Sequence, residues 1–322
     1  MSESTKKTIN MLTFLVSYKC TNECRHCALQ ASPNQEDITV QPEDVRKYLD
    51  DITQNYNIGE VNFFGGEPLL NYSLLISLIE EVKKFDIPKI GLPTNGYWGK
   101  EEETAKKYAQ KLKEVGVNLI GFSADAFHQE FIPLENVKRA IKAACKAEIE
   151  TILIIAQTVG APNESNSFNN ETNKICKSIS NEFKFCQIVK SPLQVKGRAI
   201  KNLLEYFPMN PIPSEKCSIF RAPMYMIDAN GWVFSQGCQG ICLGNAKKDS
   251  LLKVISEFKP RQHPIIGKVM GKGGVSSLLE MAIEKGYKPL EEYADKCHLC
   301  YSALKFLRPY YPNILEPSNL WD

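Results

Sequence analysis

Cys20, Cys24 and Cys27 lie together in the segment CTNECRHC. Three thiolates on so short a loop can hold three irons of a cubane [4Fe–4S] cluster. The fourth iron is then free to bind a small molecule directly. Structural zinc prefers four ligands and a closed site, and His26, adjacent to Cys27, could complete one only awkwardly. Five further cysteines, Cys217, Cys238, Cys242, Cys297 and Cys300, fall in the last third of the chain. Four of them could close a second [4Fe–4S] cluster with no open iron, or a four-cysteine zinc site. We expect Cys217, Cys238, Cys297 and Cys300 to be the ligands, because the CxxC pair comes as a unit and Cys217 and Cys238 flank a turn. Cys242 is then spare, a thiol able to give a hydrogen atom to a carbon radical. An exchange of roles between Cys238 and Cys242 stays open. Cys145, Cys176 and Cys186 sit singly in apolar stretches and read as buried packing residues.

The elements that must position these thiols can be read from periodicity. Apolar runs at 11–17, 60–66, 89–96, 118–125, 151–159 and 183–190 read as strands. Amphipathic stretches at 42–56, 73–85, 101–116, 134–148 and 167–181 read as helices. Such alternation implies a parallel sheet covered by helices, here a partial, open version of the eight-fold barrel with about six units. Chemistry in these folds gathers at the C-terminal strand ends. There the sequence puts the cysteine loop, Gly65-Gly66-Glu67-Pro68, Thr94-Asn95-Gly96, Ser123 to Asp125, and Gln157. Beyond residue 205 the pattern changes. A proline-rich loop at 210–217 precedes a hairpin turning at Asn230-Gly231, and helical stretches follow at 250–258 and 275–287. We therefore expect a barrel domain over 1–205 and a second domain over 206–322.

The 322 residues carry a net charge of +2 and 43% hydrophobic content. Nothing here argues for a polyanionic partner, so a nucleic-acid ligand is not expected. The polar start and the lack of a long apolar run predict no membrane span and a cytoplasmic protein. Eleven cysteines in a reducing compartment point to metal or catalysis rather than to disulfides.

CTNECRHC resembles the signature of the radical S-adenosylmethionine (SAM) superfamily, and GGEP at 65–68 is similar to its second motif. The resemblance runs from about residue 11 to 200. It implies that the open iron of the cluster chelates SAM, whose reductive cleavage gives a 5′-deoxyadenosyl radical that takes a substrate hydrogen. An electron donor such as ferredoxin or flavodoxin is implied as well. By the same resemblance Gly65, Gly66 and Glu67 would meet the methionine amino group, with Glu67 adding charge. Asn95, Ser123 and Asp125 would contact the carboxylate and ribose, and Arg198 would pair with the SAM carboxylate. The later stretch, with a cysteine, a hairpin containing Asn-Gly and a following LGN, resembles the auxiliary-cluster region of SPASM and twitch enzymes. A looser resemblance connects the chain with radical SAM peptide epimerases. It departs from them after Cys217, where SIFRAPMYM lacks an acidic residue. The expected activity is modification of a peptide or protein, by epimerisation or crosslinking. The alternatives are radical chemistry on a small molecule such as a sugar or cyclitol, and a non-catalytic metal-binding protein.

Overall fold

The computed structural model describes residues 6–158, 166–183, 187–213 and 215–321. Its frame is one sheet of nine strands. A separate two-stranded sheet pairs β1 (Lys7–Ile9) with β3 (Tyr56–Ile58). The barrel strands are β2 (Met11–Leu15), β4 (Val61–Phe64), β5 (Ile90–Thr94), β6 (Leu119–Ser123), β7 (Glu150–Gln157) and β8 (Gln187–Pro192). Each lies parallel to the next. Helices α1 (Pro42–Thr53), α2 (Tyr72–Val82), α3 (Glu102–Glu114), α4 (Leu134–Lys146) and α5 (Ser167–Glu182) intervene. This is the partial (β/α)6 barrel that the alternation predicts.

Local chemistry sets these elements. Helix α1 begins on Pro42, has Glu43 and Asp44 in its first turn, and buries Val45, Tyr48, Leu49 and Ile52. That is a proline at N1, acids at the positive dipole end and one apolar stripe. In β4 the alternation buries Val61 and Phe63 in the core shared with the helices. Phe64 turns the other way and lines a cavity inside the barrel.

The C-terminal third has more order than its sequence suggested. Strands β9 (Met224–Asp228), β10 (Trp232–Ser235) and β11 (Cys238–Asn245) form no sheet of their own. Strand β9 adds in parallel beside β2, pairing Met11 with Met224 through to Leu15 with Asp228. Short helices α6 (Arg198–Asn202), α7 (Leu251–Glu257) and α8 (Ile266–Met270) and the longer α9 (Val275–Ile283) and α10 (Lys296–Leu307) complete the chain. The expected strand at 183–190 begins only at Gln187, and Cys186 lies outside the described residues. Cys176 is buried and Cys145 partly so. Among the described residues no helix is long and apolar enough to cross a membrane.

Asp228 pins the hairpin to the barrel. Its carboxylate accepts from the N–H groups of Asn230 at 3.0 Å and Trp232 at 2.8 Å, and from the Tyr18 hydroxyl at 3.2 Å. Burial lifts its pKa from 3.8 to about 6, against the pull of those donors. A carboxyl whose folded pKa is raised contributes stability that is full below its unfolded value and is lost as pH rises through the folded one. Between pH 4 and 6 this group should remove about 3 kcal/mol of stability as pH rises. Asp228→Asn should flatten that slope, as read by denaturant midpoints across the range.

Candidate site at the C-terminal strand ends

The C-terminal ends of the parallel strands converge on a cavity of about 400 Å³. Cys20, Cys24 and Cys27 line it, together with Gly65, Gly66, Glu67, Asn95, Ser123, Asp125 and Arg198. All the residues expected in the first site thus meet at one place. What several of them do there differs from expectation.

The glycines serve the cysteine loop. A Cβ built on Gly66 would lie 1.9 Å from the Lys19 carbonyl oxygen. Only a residue without a side chain lets this strand end lie against the backbone that leads into Cys20. The Gly66 N–H donates to Ser17 at 2.7 Å and the Glu67 N–H to Lys19 at 3.1 Å, both to carbonyls.

Glu67 faces inward, 4% exposed. Its oxygens accept from the Leu69 N–H at 3.1 Å, the Thr94 hydroxyl at 2.9 Å and the Asn95 N–H at 2.8 Å. Burial raises its pKa to about 7 in spite of these donors. The expected charge toward a ligand is therefore spent on joining two strand ends. Asn95 likewise clamps the loop, its amide donating to Thr21 Oγ1 at 2.8 Å and Asn22 Oδ1 at 3.2 Å.

Asp125 accepts from the N–H groups of Phe127 at 3.0 Å and His128 at 3.1 Å, from the His128 ring at 2.9 Å, and from the Ala156 N–H at 2.9 Å. Burial alone would raise it, but His128, His26 and the Ala156 N–H hold it well below the usual carboxylate range. Arg198 donates to the carbonyls of Cys24 at 2.9 Å and Ala31 at 2.6 Å, so its fork grips the loop backbone. Of the side chains expected to touch SAM, Ser123 alone is drawn into none of these bonds.

Two further side chains stand at this rim: His26, which the sequence offered only as an awkward fourth zinc ligand, and Lys196, which carried no signal there. His26 packs its ring 4.9 Å from Phe127, and its Nδ1 is buried without a partner. Lys196 lines the cavity and donates to the Gly237 carbonyl at 3.2 Å and Gln239 Oε1 at 3.3 Å.

The later cysteines separate into four and one. Burial pushes up Cys300 most, and Cys238, Cys297 and Cys217 add to it as charged neighbours. Burial also pushes Cys238 to about 11 and Cys297 to about 12. Cys297 and Cys300 share a face in the first turn of α10, which Asp295 caps through the His298 N–H at 2.7 Å. Cys242 lies elsewhere. It is 2% exposed and donates to the Glu316 carbonyl at 3.3 Å, among residues of the second apolar core. It does not line the cavity; β11 sets this thiol among packing residues, apart from the rim where a hydrogen donor was expected.

Among the described residues, no three of these sulfurs lie within 4.8 Å of one another. A tetrahedral zinc would draw its sulfurs to about 3.8 Å apart. Burial, with Glu67 next, pushes the Cys20 thiol up to about 12, and a bound metal centre would supply the positive charge that favours its thiolate.

Comparisons with known proteins agree with this geometry. The putative peptide biosynthesis protein YydG of Bacillus subtilis (strain 168) is 25% identical over 182 residues, 56% of this chain and 54% of that protein. A probable GTP 3′,8-cyclase of Methanococcus aeolicus is 27% identical over 176 residues, 51% of this chain and 56% of that protein. The chain thus spans about half the length of these curated relatives. A solved structure described as native anSMEcpe with bound AdoMet and Cp18Cys peptide shares the fold. Its TM-score is 0.51 at 17% identity, over 95% of this chain and 98% of that one. Residues 14–172 match the family described as the Radical SAM superfamily. With three cysteines of one short loop gathered at the cavity of a partial barrel, this chain carries a domain of the Radical SAM superfamily over residues 14–172.

Proposed function

We propose that this enzyme modifies a peptide, forming an epimerised residue or a crosslink, and that Cys217, Cys238, Cys297 and Cys300 hold a second iron–sulfur cluster. The observation that carries the peptide reading is Gln236. It lines the cavity, and its Oε1 is buried without a hydrogen-bond partner. A buried acceptor left unpaired is costly, so a site that keeps one is built for a donor that arrives with the substrate. A peptide N–H is such a donor. Gln194 and Gln239 line the same cavity, giving amide-bearing walls suited to amide groups. The relative named for peptide biosynthesis supports the same class.

When bound, the cluster and SAM supply a radical able to abstract a substrate hydrogen. The chain's own residues hold the loop rigid and shield it. Asn95 and Arg198 fix the loop, Glu67 fixes the strand ends, and Phe64 and Pro93 line the cavity with apolar surface. Ser123 is the side chain we assign to SAM, and ferredoxin or flavodoxin is the class of donor expected to reduce the cluster. A nucleotide substrate, as the cyclase relatives' name would suggest, calls for several free cations. Arg198 is already engaged in the loop and Lys196 in the hairpin.

The test is reconstituted enzyme with SAM, reductant and Cα-deuterated peptides from short reading frames beside the gene. Deuterium should appear in 5′-deoxyadenosine together with an altered peptide. Transfer from no peptide, but from a sugar or nucleotide, would overturn the reading. Gln236→Leu should raise KM for the peptide about fivefold to tenfold, with Gln236→Asn losing less.

A further inference from the structure

The nine-stranded sheet has two edges, and they are treated differently. At one, β11 is covered, since the Cys242 N–H donates to the Ile314 carbonyl at 2.7 Å. At the other lies β8, all six of whose residues are exposed, with Ile188 at 39% and Val189 at 44%. Among the described residues no strand pairs with its outer side at Ile188 or Lys190.

The register tells which groups face outward. The Leu193 N–H donates to the Gln157 carbonyl at 2.9 Å, toward β7. By the two-residue alternation of a strand, Val189 and Ser191 also turn their backbone groups toward β7. Ile188 and Lys190 therefore turn theirs away from it. Pro192 also faces outward, and offers only a carbonyl.

The edge runs into the cavity. Ser191, Pro192, Leu193 and Gln194 line it. Val189 pairs with Ile154 and Ser191 with Ala156, and paired residues share a face. Ile154 and Ala156 both line the cavity, so Val189 sits on the strand face that leads to it.

We infer that the outer edge of β8 is the docking strand for an extended peptide substrate, which pairs with Ile188 and Lys190 as an added strand and leaves the sheet at Pro192 to enter the cavity. An extended chain is what such an edge selects, because its main-chain groups are the complement of the strand's own. Pro192 ends the pairing where the cavity begins, since it has no N–H to give. The inference rests on the peptide reading above.

The test uses reconstituted enzyme and a display library of random linear peptides. Wild-type enzyme should enrich binders. Lys190→Pro removes an outward donor without touching the ladder to β7, so it should keep the melting temperature and weaken those binders about fivefold to tenfold. Val189→Pro, which breaks the ladder, should lower the melting temperature. Independently of any variant, N-methylation along one selected peptide should weaken binding at every second residue.

Failure to enrich any peptide would overturn the peptide reading itself. Binders that ignore both Lys190→Pro and N-methylation would overturn the edge assignment and leave that reading standing. A dimer that dissociates on Lys190→Pro and binds no peptide would give the edge to a second copy of the chain, which also overturns it.

Discussion

Gly66→Ala should cost this enzyme its first cluster, although the glycine holds no metal. The added Cβ would meet the Lys19 carbonyl oxygen at 1.9 Å and the Lys19 carbonyl carbon at 2.4 Å. Both belong to backbone that cannot rotate aside, so the cysteine loop must shift. Overpacking of this severity costs about 3 kcal/mol or more. Gly99 supplies the control. A Cβ there would come as close, 1.9 Å from the Asn136 carbonyl oxygen in α4. Gly99 does not line the cavity. Both variants should lose stability to a similar degree in denaturant titrations. Only Gly66→Ala should also lose iron at the first site, read as iron per chain after reconstitution and as SAM affinity. Equal iron loss in the two would show that Gly66 acts on the fold alone.

Cys24→Ala should abolish 5′-deoxyadenosine formation, by more than about 10³-fold, because a loop of two thiolates cannot hold three irons. The four later cysteines should still load, so iron should fall without vanishing. Cys242→Ala is the informative contrast. Its thiol packs among core residues and bonds to the Glu316 carbonyl. Its loss should leave iron content unchanged and cost about 1–2 kcal/mol of stability. Loss of iron in Cys242→Ala would show it to be a ligand. Retained 5′-deoxyadenosine formation with no altered product would restore it as a hydrogen donor.

The barrel was legible because its signals are local. Period-two and period-3.6 patterns placed β2, β4 to β7 and α1 to α5 within a few residues. Pairing across the sequence has no such local sign. That β9 joins β2 depends on residues some two hundred positions apart, and the hairpin read alone gives no sign of it. Strand β11, broken by Gly240 and Gly244 and paired through a shifted register, lacks the alternation that marks a strand. The site divides in the same way. Cysteine spacing announces its chemistry, since several ligands of one type must lie close together. A single polar residue announces nothing, so Lys196 and Gln236 went unread. Glu67 and Arg198 line the cavity, but whether a charge faces a ligand or its own backbone is decided by neighbours that the sequence does not name.

The seam between β2 and β9 also bears on how the protein is made. Strand β2 leaves the ribosome well before the neighbour on its outer side, which begins at Met224 and follows only after the other barrel strands. Throughout that interval the strand leading to the cysteine loop has one open edge, of the kind that invites pairing with a stranger. The nascent barrel therefore needs guarding until its last third arrives. A truncation near residue 205 should yield aggregate rather than a smaller enzyme.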